Sequence, residues 1–276
     1  MINRSSLFGA LAAAVVAFTP ALAAEGGDRP HRESWSFAGP FGTYDQAQLQ
    51  RGFKVFREVC ASCHSANFLY FRNLAQPGGP GFSEAQAKVV AGEYQVTDGP
   101  NDQGEMYQRP GRLSDHWPAP FPNEQAARVA NGGAYPPDFS VLAKARSYYV
   151  GFPGFITDAF IQYQEHGVDY IHALLLGYVE PPAGVTVQPG LHYNTYFPGH
   201  QIAMPKPISD GQVEYTDGTP QTVDQYSRDV TAFMMWLAEP HLDTRKRMGF
   251  QVFIFLIVLS GLLYFTKKKV WKDVAH

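Results

Sequence analysis

Hydrophobic residues recur at helical spacing shortly before the only two cysteines of the chain. Leu49, Phe53 and Phe56 fall at i, i+4 and i+7, which places them on one face of a helix. Thr43 and Gln46 match the capping-box pattern that often opens a helix. The pattern predicts an amphipathic helix from about Tyr44 into Val59, with one apolar face directed into a core.

A second apolar stripe follows another capping-box pattern, Thr222 with Gln225. Its members share one helical face: Val223, Tyr226, Val230, Phe233 and Leu237. Between the two helices the chain reads as short helices joined by long loops, in keeping with 26 glycines and 21 prolines. The stretch 99–111 shows no alternation of apolar and polar residues and is expected to be a loop.

Two segments are apolar without interruption. Gly249–Phe265 contains no charged residue and lies between the basic runs 245–247 and 267–269. At about 1.5 Å rise per residue it covers most of a bilayer core of about 30 Å, and a buried soluble helix is seldom apolar on every face. Residues 7–18 are apolar behind Arg4 and precede a small-residue cleavage pattern, so residues 1–24 read as a signal peptide.

These segments divide the chain into a signal peptide (1–24), an exported domain (25–244), a transmembrane anchor (245–268) and a short tail (269–276). An exported N-terminus and a single crossing place the domain in the periplasm of a bacterial host, the anchor among inner-membrane lipids and the tail in the cytoplasm. The trailing lysines agree with the positive-inside tendency, while the basic run before the anchor weakens that argument.

Charge is unevenly distributed along the chain. Residues 25–244 contain 24 Asp and Glu against 14 Lys and Arg, a net charge of −10. An acidic domain is unsuited to nucleic acid and suited to a basic protein partner through electrostatic steering. Ordinary solubility explains the same charge equally well.

The two cysteines form the sequence Cys60-Ala61-Ser62-Cys63-His64, the C-x-x-C-H signature of covalent haem attachment. Two thiols one helical turn apart can add to the two vinyl groups of the porphyrin, and the adjacent histidine then supplies the proximal iron bond. A structural disulfide and a thioredoxin-like redox site are the alternatives. The second requires a βαβ setting, which the surrounding sequence lacks.

An electron carrier needs a closed six-coordinate iron, and a thioether as the second axial ligand raises its potential. Met204 lies in an apolar, proline-rich stretch that cannot be helical, whereas Met106 lies in a polar loop. Met234 and Met235 fall in the second amphipathic helix and are expected in the core. Spacing favours Met204, with Met106 and His200 as remaining candidates.

The ordered motifs of this chain resemble those of the cytochrome c1 family, the haem subunit of the quinol–cytochrome c reductase (bc1) complex. The resemblance runs from about Phe37 to Trp271. Its motifs are the haem signature at 60–64 and the segments 131–140, 177–182, 193–199, 202–205 and 238–240. It implies a mainly α, class I cytochrome c-like haem domain with loop-rich insertions, followed by one C-terminal transmembrane helix.

The resemblance also implies site residues and partners. Met204 would be the distal ligand of one haem c, Arg146 would pair with a haem propionate, and Asn131 and Tyr170 would line the crevice. Pro137, with Pro136, would shape the loop that shields the haem. The implied partners are cytochrome b, the Rieske iron–sulfur protein and a soluble, basic cytochrome c, in a complex expected to be dimeric. The chain itself would carry single electrons, with no catalytic side chains.

The sequence departs from the family pattern at three points. Lys206 interrupts the proline-rich run after Met204. Thr195 occupies a position where the family usually has proline, and no cysteine remains for a disulfide beside Met204. The methionine loop is therefore expected to be secured by packing and prolines alone. Two other functions remain open: a membrane-tethered cytochrome that feeds a terminal oxidase outside any complex, and a haem sensor with an open sixth position.

Overall fold

A computed structural model describes residues 27–273, so the predicted signal peptide (1–24) lies outside the described residues, as do the last three positions of the predicted tail. The described part is mainly helical. Its helices are α1 (Gln46–Glu58), α2 (Glu84–Gly92), α3 (Glu124–Ala130), α4 (Leu142–Ala145), α5 (Gly154–Ile161), α6 (His166–Leu176), α7 (Val223–Ala238) and α8 (Leu242–Val270). Short 3-10 helices occupy Cys60–Ser62 and Phe71–Ala75.

The core forms where α1 crosses α7. Leu49, Phe53 and Phe56 of α1 are buried, as the spacing predicts. The helices approach closely at Gly52, where an added Cβ would lie 2.0 Å from the Asp229 carbonyl oxygen and 2.8 Å from the Phe233 Cβ. Glycine at this position therefore sets the distance between the two helices.

The first helix begins later than the sequence suggests. Asp45 is its N-cap, and its carboxylate accepts hydrogen bonds from the backbone N–H groups of Ala47 (2.9 Å) and Gln48 (3.3 Å). The expected Thr43/Gln46 box is therefore wrong, because Asp45 stands directly before the first turn and satisfies two free donors there. The helix ends at Glu58, and the chain tightens into the 3-10 turn that carries Cys60.

The opening of α7 matches the sequence in part. Thr222 accepts a hydrogen bond from Gln225 N (3.3 Å), but the Gln225 side chain donates to Asp229 Oδ1 (2.9 Å) rather than returning to the cap. Fully buried Asp229 also accepts from Arg51 Nε and from Tyr215 Oη, each at 2.9 Å. Gln225, which was expected to complete the capping box, thus belongs instead to a polar network where α1 contacts α7.

Two antiparallel hairpins interrupt the helical structure. Strands β1 (Gln95–Asp98) and β2 (Tyr107–Pro110) pair with each other, and β2 lies within the stretch 99–111 that was expected to be a loop, so that expectation is wrong for 107–110. Neither strand has a buried face, since their residues are exposed or half-buried, and neither carries apolar alternation. Arg109 of β2 pairs with Asp98 of β1 and, at 2.6 Å, with Asp115. Strands β3 (His192–Tyr193) and β4 (Gln201–Ile202) form the second hairpin, just before Met204.

The C-terminal helix α8 is long and apolar enough to cross a membrane, with a mean hydropathy of 2.2 in its most apolar 18-residue window, none of which is buried. It contains the predicted anchor 245–268. Its first turns are joined to the folded domain, since Tyr44 N donates to Asp243 Oδ1 (3.2 Å) and Lys246 Nζ donates to the Gly42 carbonyl (3.2 Å). The anchor is thus a continuation of the core rather than a loosely linked segment.

Candidate haem site

The C-x-x-C-H segment begins where α1 ends. The backbone N–H groups of Cys63 and His64 donate to the Cys60 carbonyl at 3.1 and 2.9 Å, which winds the segment into one tight turn. The two cysteines are not bonded to each other. Burial raises the pKa of the Cys60 thiol to about 12, which opposes the thiolate needed at a thioredoxin-like redox site.

His64 is oriented by the loop that contains Pro137. Its Nδ1 lies 2.8 Å from the Pro137 carbonyl oxygen, which can only accept, so Nδ1 carries the proton and Nε2 is left unprotonated. Burial lowers the pKa of the His64 imidazole and favours this neutral form. A backbone carbonyl that fixes the tautomer in this way is a common arrangement for a metal-binding histidine.

The same loop is fastened to the haem signature by Asp138. Its carboxylate accepts from Ser65 Oγ (2.7 Å), Asn67 N (2.9 Å) and Ser140 N (2.8 Å). Burial alone would raise the pKa of Asp138, but the hydrogen bonds outweigh it and the pKa is lowered. Phe139 follows, with its ring 4.4 Å from the His64 ring between centroids. The loop therefore fixes both the position and the tautomer of His64.

Arg146 and Tyr170 come together where α4 meets α6. The approach depends on Gly167, where an added Cβ would lie 1.9 Å from the Ala143 carbonyl oxygen and 2.7 Å from that of Arg146. Arg146 is exposed and Tyr170 is buried. Burial raises the pKa of the Tyr170 hydroxyl, and the positive charge of Arg146 acts on it in the opposite direction. The positive charge of Arg146 thus acts on a buried tyrosine hydroxyl where α4 packs against α6.

Met204 lies in a bend directly after β4, outside any helix, as the prolines predict. Its carbonyl accepts a hydrogen bond from Tyr178 Oη (3.1 Å). Burial, followed by the neighbouring Tyr170, raises the pKa of Tyr178 and keeps it a proton donor. Tyr178 therefore holds the Met204 bend, while Tyr170 acts electrostatically on Tyr178, and Arg146 acts on Tyr170.

Asn194 secures the methionine loop, a role that sequence reasoning missed although the residue falls within a recognised motif. Fully buried Asn194 donates from Nδ2 to the Leu174 carbonyl (2.8 Å) and accepts at Oδ1 from Tyr196 N (3.0 Å) and Phe197 N (3.2 Å). Thr195 N adds a bond to the Gly177 carbonyl (2.9 Å), which a proline could not make. Hydrogen bonds, and not packing and prolines alone, tie the loop to the end of α6.

The rival ligands have other contacts. His200 stacks on Tyr193 with 5.6 Å between ring centroids, and its backbone has a positive φ of 58°. Met106 is exposed on the β1–β2 hairpin side of the fold, and Met234 and Met235 are buried in α7.

Asn131 has a local role in the structure. It ends α3, and its Nδ2 donates to the Ala127 carbonyl of the same helix at 2.7 Å. Ala127, Tyr135 and Pro136 border a cavity of about 200 Å³ that also includes Cys63. The side chain of Asn131 therefore binds its own helix, while residues before and after it border the cavity at Cys63.

These groups have the chemistry that covalent haem requires: two unbonded cysteines in one turn, an oriented imidazole with a free Nε2, and a non-helical thioether secured by hydrogen bonds. A mainly helical domain with this signature and one apolar terminal helix defines a membrane-bound c-type cytochrome. Residues 35–274 match the Cytochrome C1 family model, and the chain belongs to that family.

Curated relatives agree with this assignment. The chain is 52% identical over 270 residues to "Cytochrome c1" of Blastochloris viridis, covering 97% of this chain and 94% of that protein. It is 47% identical over 234 residues to "Cytochrome c1-2, heme protein, mitochondrial" of Solanum tuberosum, covering 84% and 82%. It is 62% identical over 254 residues to "Cytochrome b/c1" of Bradyrhizobium diazoefficiens, covering 92% of this chain and 37% of that longer protein. The chain is accordingly an electron-carrying subunit of quinol–cytochrome c reductase, and among the described residues α8 is the helix suited to anchor it in a membrane.

Proposed function

We propose that this chain holds one haem c through thioether bonds from Cys60 and Cys63, with His64 and Met204 as the two axial ligands. The observation that carries the proposal is the 2.8 Å contact between His64 Nδ1 and the Pro137 carbonyl, which leaves Nε2 available to a metal. Bound haem would supply a one-electron redox couple. Arg146, beside Tyr170, is suited to pair with a propionate, and a guanidinium–carboxylate contact is among the stronger hydrogen bonds.

The chain's own residues contribute ligation, burial and electrostatics rather than acid–base catalysis. Asp138 and Pro137 hold His64, while Asn194 and Tyr178 hold the Met204 bend. Two separately secured ligands keep the coordination unchanged between oxidation states. That constancy is what a carrier needs for fast transfer with little rearrangement.

The proposed electron path begins at the Rieske iron–sulfur protein and ends at a soluble, basic cytochrome c. Cytochrome b would lie beside the chain in a dimeric complex, with α8 among membrane lipids. The proposal follows from family membership and from the net charge of −10 over residues 25–244, which would attract a basic partner. Residues 25–244 would be periplasmic and 269–276 cytoplasmic, in keeping with the lysines at 267–269.

The test is extraction of host membranes in mild detergent, followed by a native gel stained for haem and scanned for optical spectra. We expect this c-type haem to migrate with b-type haems and an iron–sulfur protein, and to be reduced by quinol. Migration alone, with reduction only after other components are added, would favour a tethered carrier that feeds a terminal oxidase. The haem ligands would be unaffected by that outcome.

Salt dependence tests the partner separately. Raising ionic strength from about 0.01 M to about 0.15 M shortens the Debye length from about 30 Å to about 8 Å, so reduction of a basic cytochrome c should slow several-fold. An acidic cytochrome c serves as the control and should not slow. A rate for the basic partner that does not change with salt would refute the steering proposal.

A further inference from the structure

Helix α5 has its polarity reversed relative to a helix on a water-soluble surface. Its only charged residue, Asp158, is 5% exposed and pairs with Arg32 and, at 3.1 Å, with His166 Nε2. By contrast, Phe160 is 84% exposed and Phe155 is also exposed. A helix in water normally buries its apolar face and exposes its charges. Here the charge is inside and the aromatic rings are outside.

The apolar surface extends beyond the helix into the residues on either side. Its large exposed members are Tyr149, Phe152, Phe155, Ile156, Phe160 and Ile161, which we call the 149–161 patch. The one hydroxyl of α5, on Thr157, already donates to the Gly154 carbonyl at 2.8 Å. Contiguous exposed apolar surface of this kind marks a contact with a membrane or a protein.

The patch lies close to the beginning of the membrane helix. Arg32, which holds Asp158, also covers the Tyr163 ring at 4.3 Å from its centroid. The Glu165 carboxylate, between this tyrosine and α6, interacts electrostatically with Lys246 in the first turns of α8. Ion pairs reach α8 from Lys144, five residues before the patch: Lys144 pairs with Glu239 at 2.5 Å, and Glu239 also pairs with Arg245 in the first turn of α8. The segment that carries the patch is therefore tied to the beginning of α8.

A second loop of the folded domain contacts the beginning of α8. Phe41 is exposed on the loop before α1, and its ring meets that of Phe250 on α8 with 5.7 Å between centroids. Lys246 donates to the carbonyls of Phe37 and Gly42 on either side of it. The folded domain thus presents aromatic side chains beside the apolar part of α8.

We propose that the 149–161 patch lies in the interfacial layer of the lipid bilayer, beside α8, and forms a second membrane contact of this domain. Apolar aromatic residues of an interfacial helix insert at the boundary between headgroups and acyl chains, with polar partners directed away from it. A neighbouring protein is the less favoured occupant, because protein interfaces use about one hydrogen bond per 100–200 Å², and among the large exposed side chains of the patch only Tyr149 carries a polar atom.

The test uses the full-length, haem-loaded chain in phosphatidylcholine nanodiscs, with a nitroxide label on Phe160→Cys or, as matched control, on Val129→Cys. Val129 is 86% exposed on α3, so both labels begin on the surface. The parent chain, labelled in parallel, corrects for reaction at Cys60 or Cys63. For each label we measure the ratio of its collision rate with oxygen to its collision rate with a water-soluble nickel chelate. We expect this ratio to be several-fold higher at position 160 than at position 129.

Equal nickel accessibility at the two positions would overturn the proposal. So would a label at 160 that is open to nickel in nanodiscs and becomes shielded from both reagents only in the complex with cytochrome b, since the occupant would then be a protein. Retention of the parent haem spectrum by both variants establishes that they fold. None of these readouts depends on electron transfer or on the identity of the haem ligands.

Discussion

Replacement of Asn194 by alanine tests whether hydrogen bonds, rather than proline stiffness, hold the methionine loop. The side chain is fully buried and makes three bonds: to the Leu174 carbonyl at 2.8 Å, and from the N–H groups of Tyr196 and Phe197 at 3.0 and 3.2 Å. Alanine cannot make any of them. Three backbone groups would lose their partners at the hairpin that precedes Met204.

The expected cost follows from those three bonds. A net contribution of about 1 kcal/mol for each gives about 3 kcal/mol of unfolding free energy, with more if the backbone groups stay out of reach of water. For a domain of this size each kcal/mol lowers the midpoint by about 2–4 °C, so a fall of about 6–12 °C is expected. The loss is concentrated where the loop leaves α6, so the proposed Met204–iron bond should weaken first.

Thermal unfolding by circular dichroism measures the first effect, and carbon monoxide binding to the reduced protein measures the second. A closed six-coordinate haem resists carbon monoxide, and one that has lost its methionine binds it. Asn101→Ala is the matched control: it also removes two side-chain bonds to backbone N–H groups, those of Gln103 and Glu105, but in an exposed turn where water can replace them.

Met204→Ala sets the upper limit for carbon monoxide binding. The reasoning fails if Asn194→Ala binds no more carbon monoxide than the parent protein and its midpoint falls no further than that of Asn101→Ala. It fails equally if the thermal midpoint of Asn194→Ala falls but Met204→Ala binds no carbon monoxide, because Met204 would then not be the iron ligand.

Three further predictions concern packing, acid stability and the tyrosine at the methionine bend. Gly52→Ala should prevent native packing of α1 on α7, because its Cβ would lie 2.0 Å from the Asp229 carbonyl; Gly92→Ala, with nothing within 4 Å, should leave the thermal midpoint unchanged. The pKa of Asp138 is lower in the folded than in the unfolded protein. Its ionised carboxylate therefore stabilises the fold above the unfolded-state pKa of about 3.9, and this stabilisation is lost as pH falls through the folded-state pKa. Asp138→Asn should therefore flatten the dependence of the unfolding free energy on pH below about 4. Tyr178→Phe, which removes the 3.1 Å bond to the Met204 carbonyl, should cost about 1 kcal/mol in denaturant unfolding and increase carbon monoxide binding less than Asn194→Ala does.

The sequence by itself determined the features whose chemistry is local. The C-x-x-C-H motif lies within a single turn, so the sequence alone shows that the two thiols and the imidazole are close together. The long apolar helix is likewise a property of consecutive residues. The burial of Leu49, Phe53 and Phe56 followed from a period of 3.6 residues alone.

Short elements were less well determined. The β1–β2 hairpin was missed because neither strand has a buried face. The charge of Arg109, shared between Asp98 and Asp115, replaces the apolar alternation that reveals a strand. The N-cap of α1 was misassigned because the side chains of Thr43 and Asp45 can both accept hydrogen bonds from backbone N–H groups, and the backbone at the start of the helix favours Asp45. Small differences in local geometry decide such cases.

Only the tertiary structure decided how the distant groups meet. The Pro137 carbonyl reaches His64 across 73 residues, and Arg32 neutralises Asp158 across 126, so that the rings of α5 can face outward. Asn194 looked like one residue of a motif until its three backbone partners were in place. The physical reason is common to all three: a hydrogen bond or ion pair has no period along the chain, and only folding brings its two halves together.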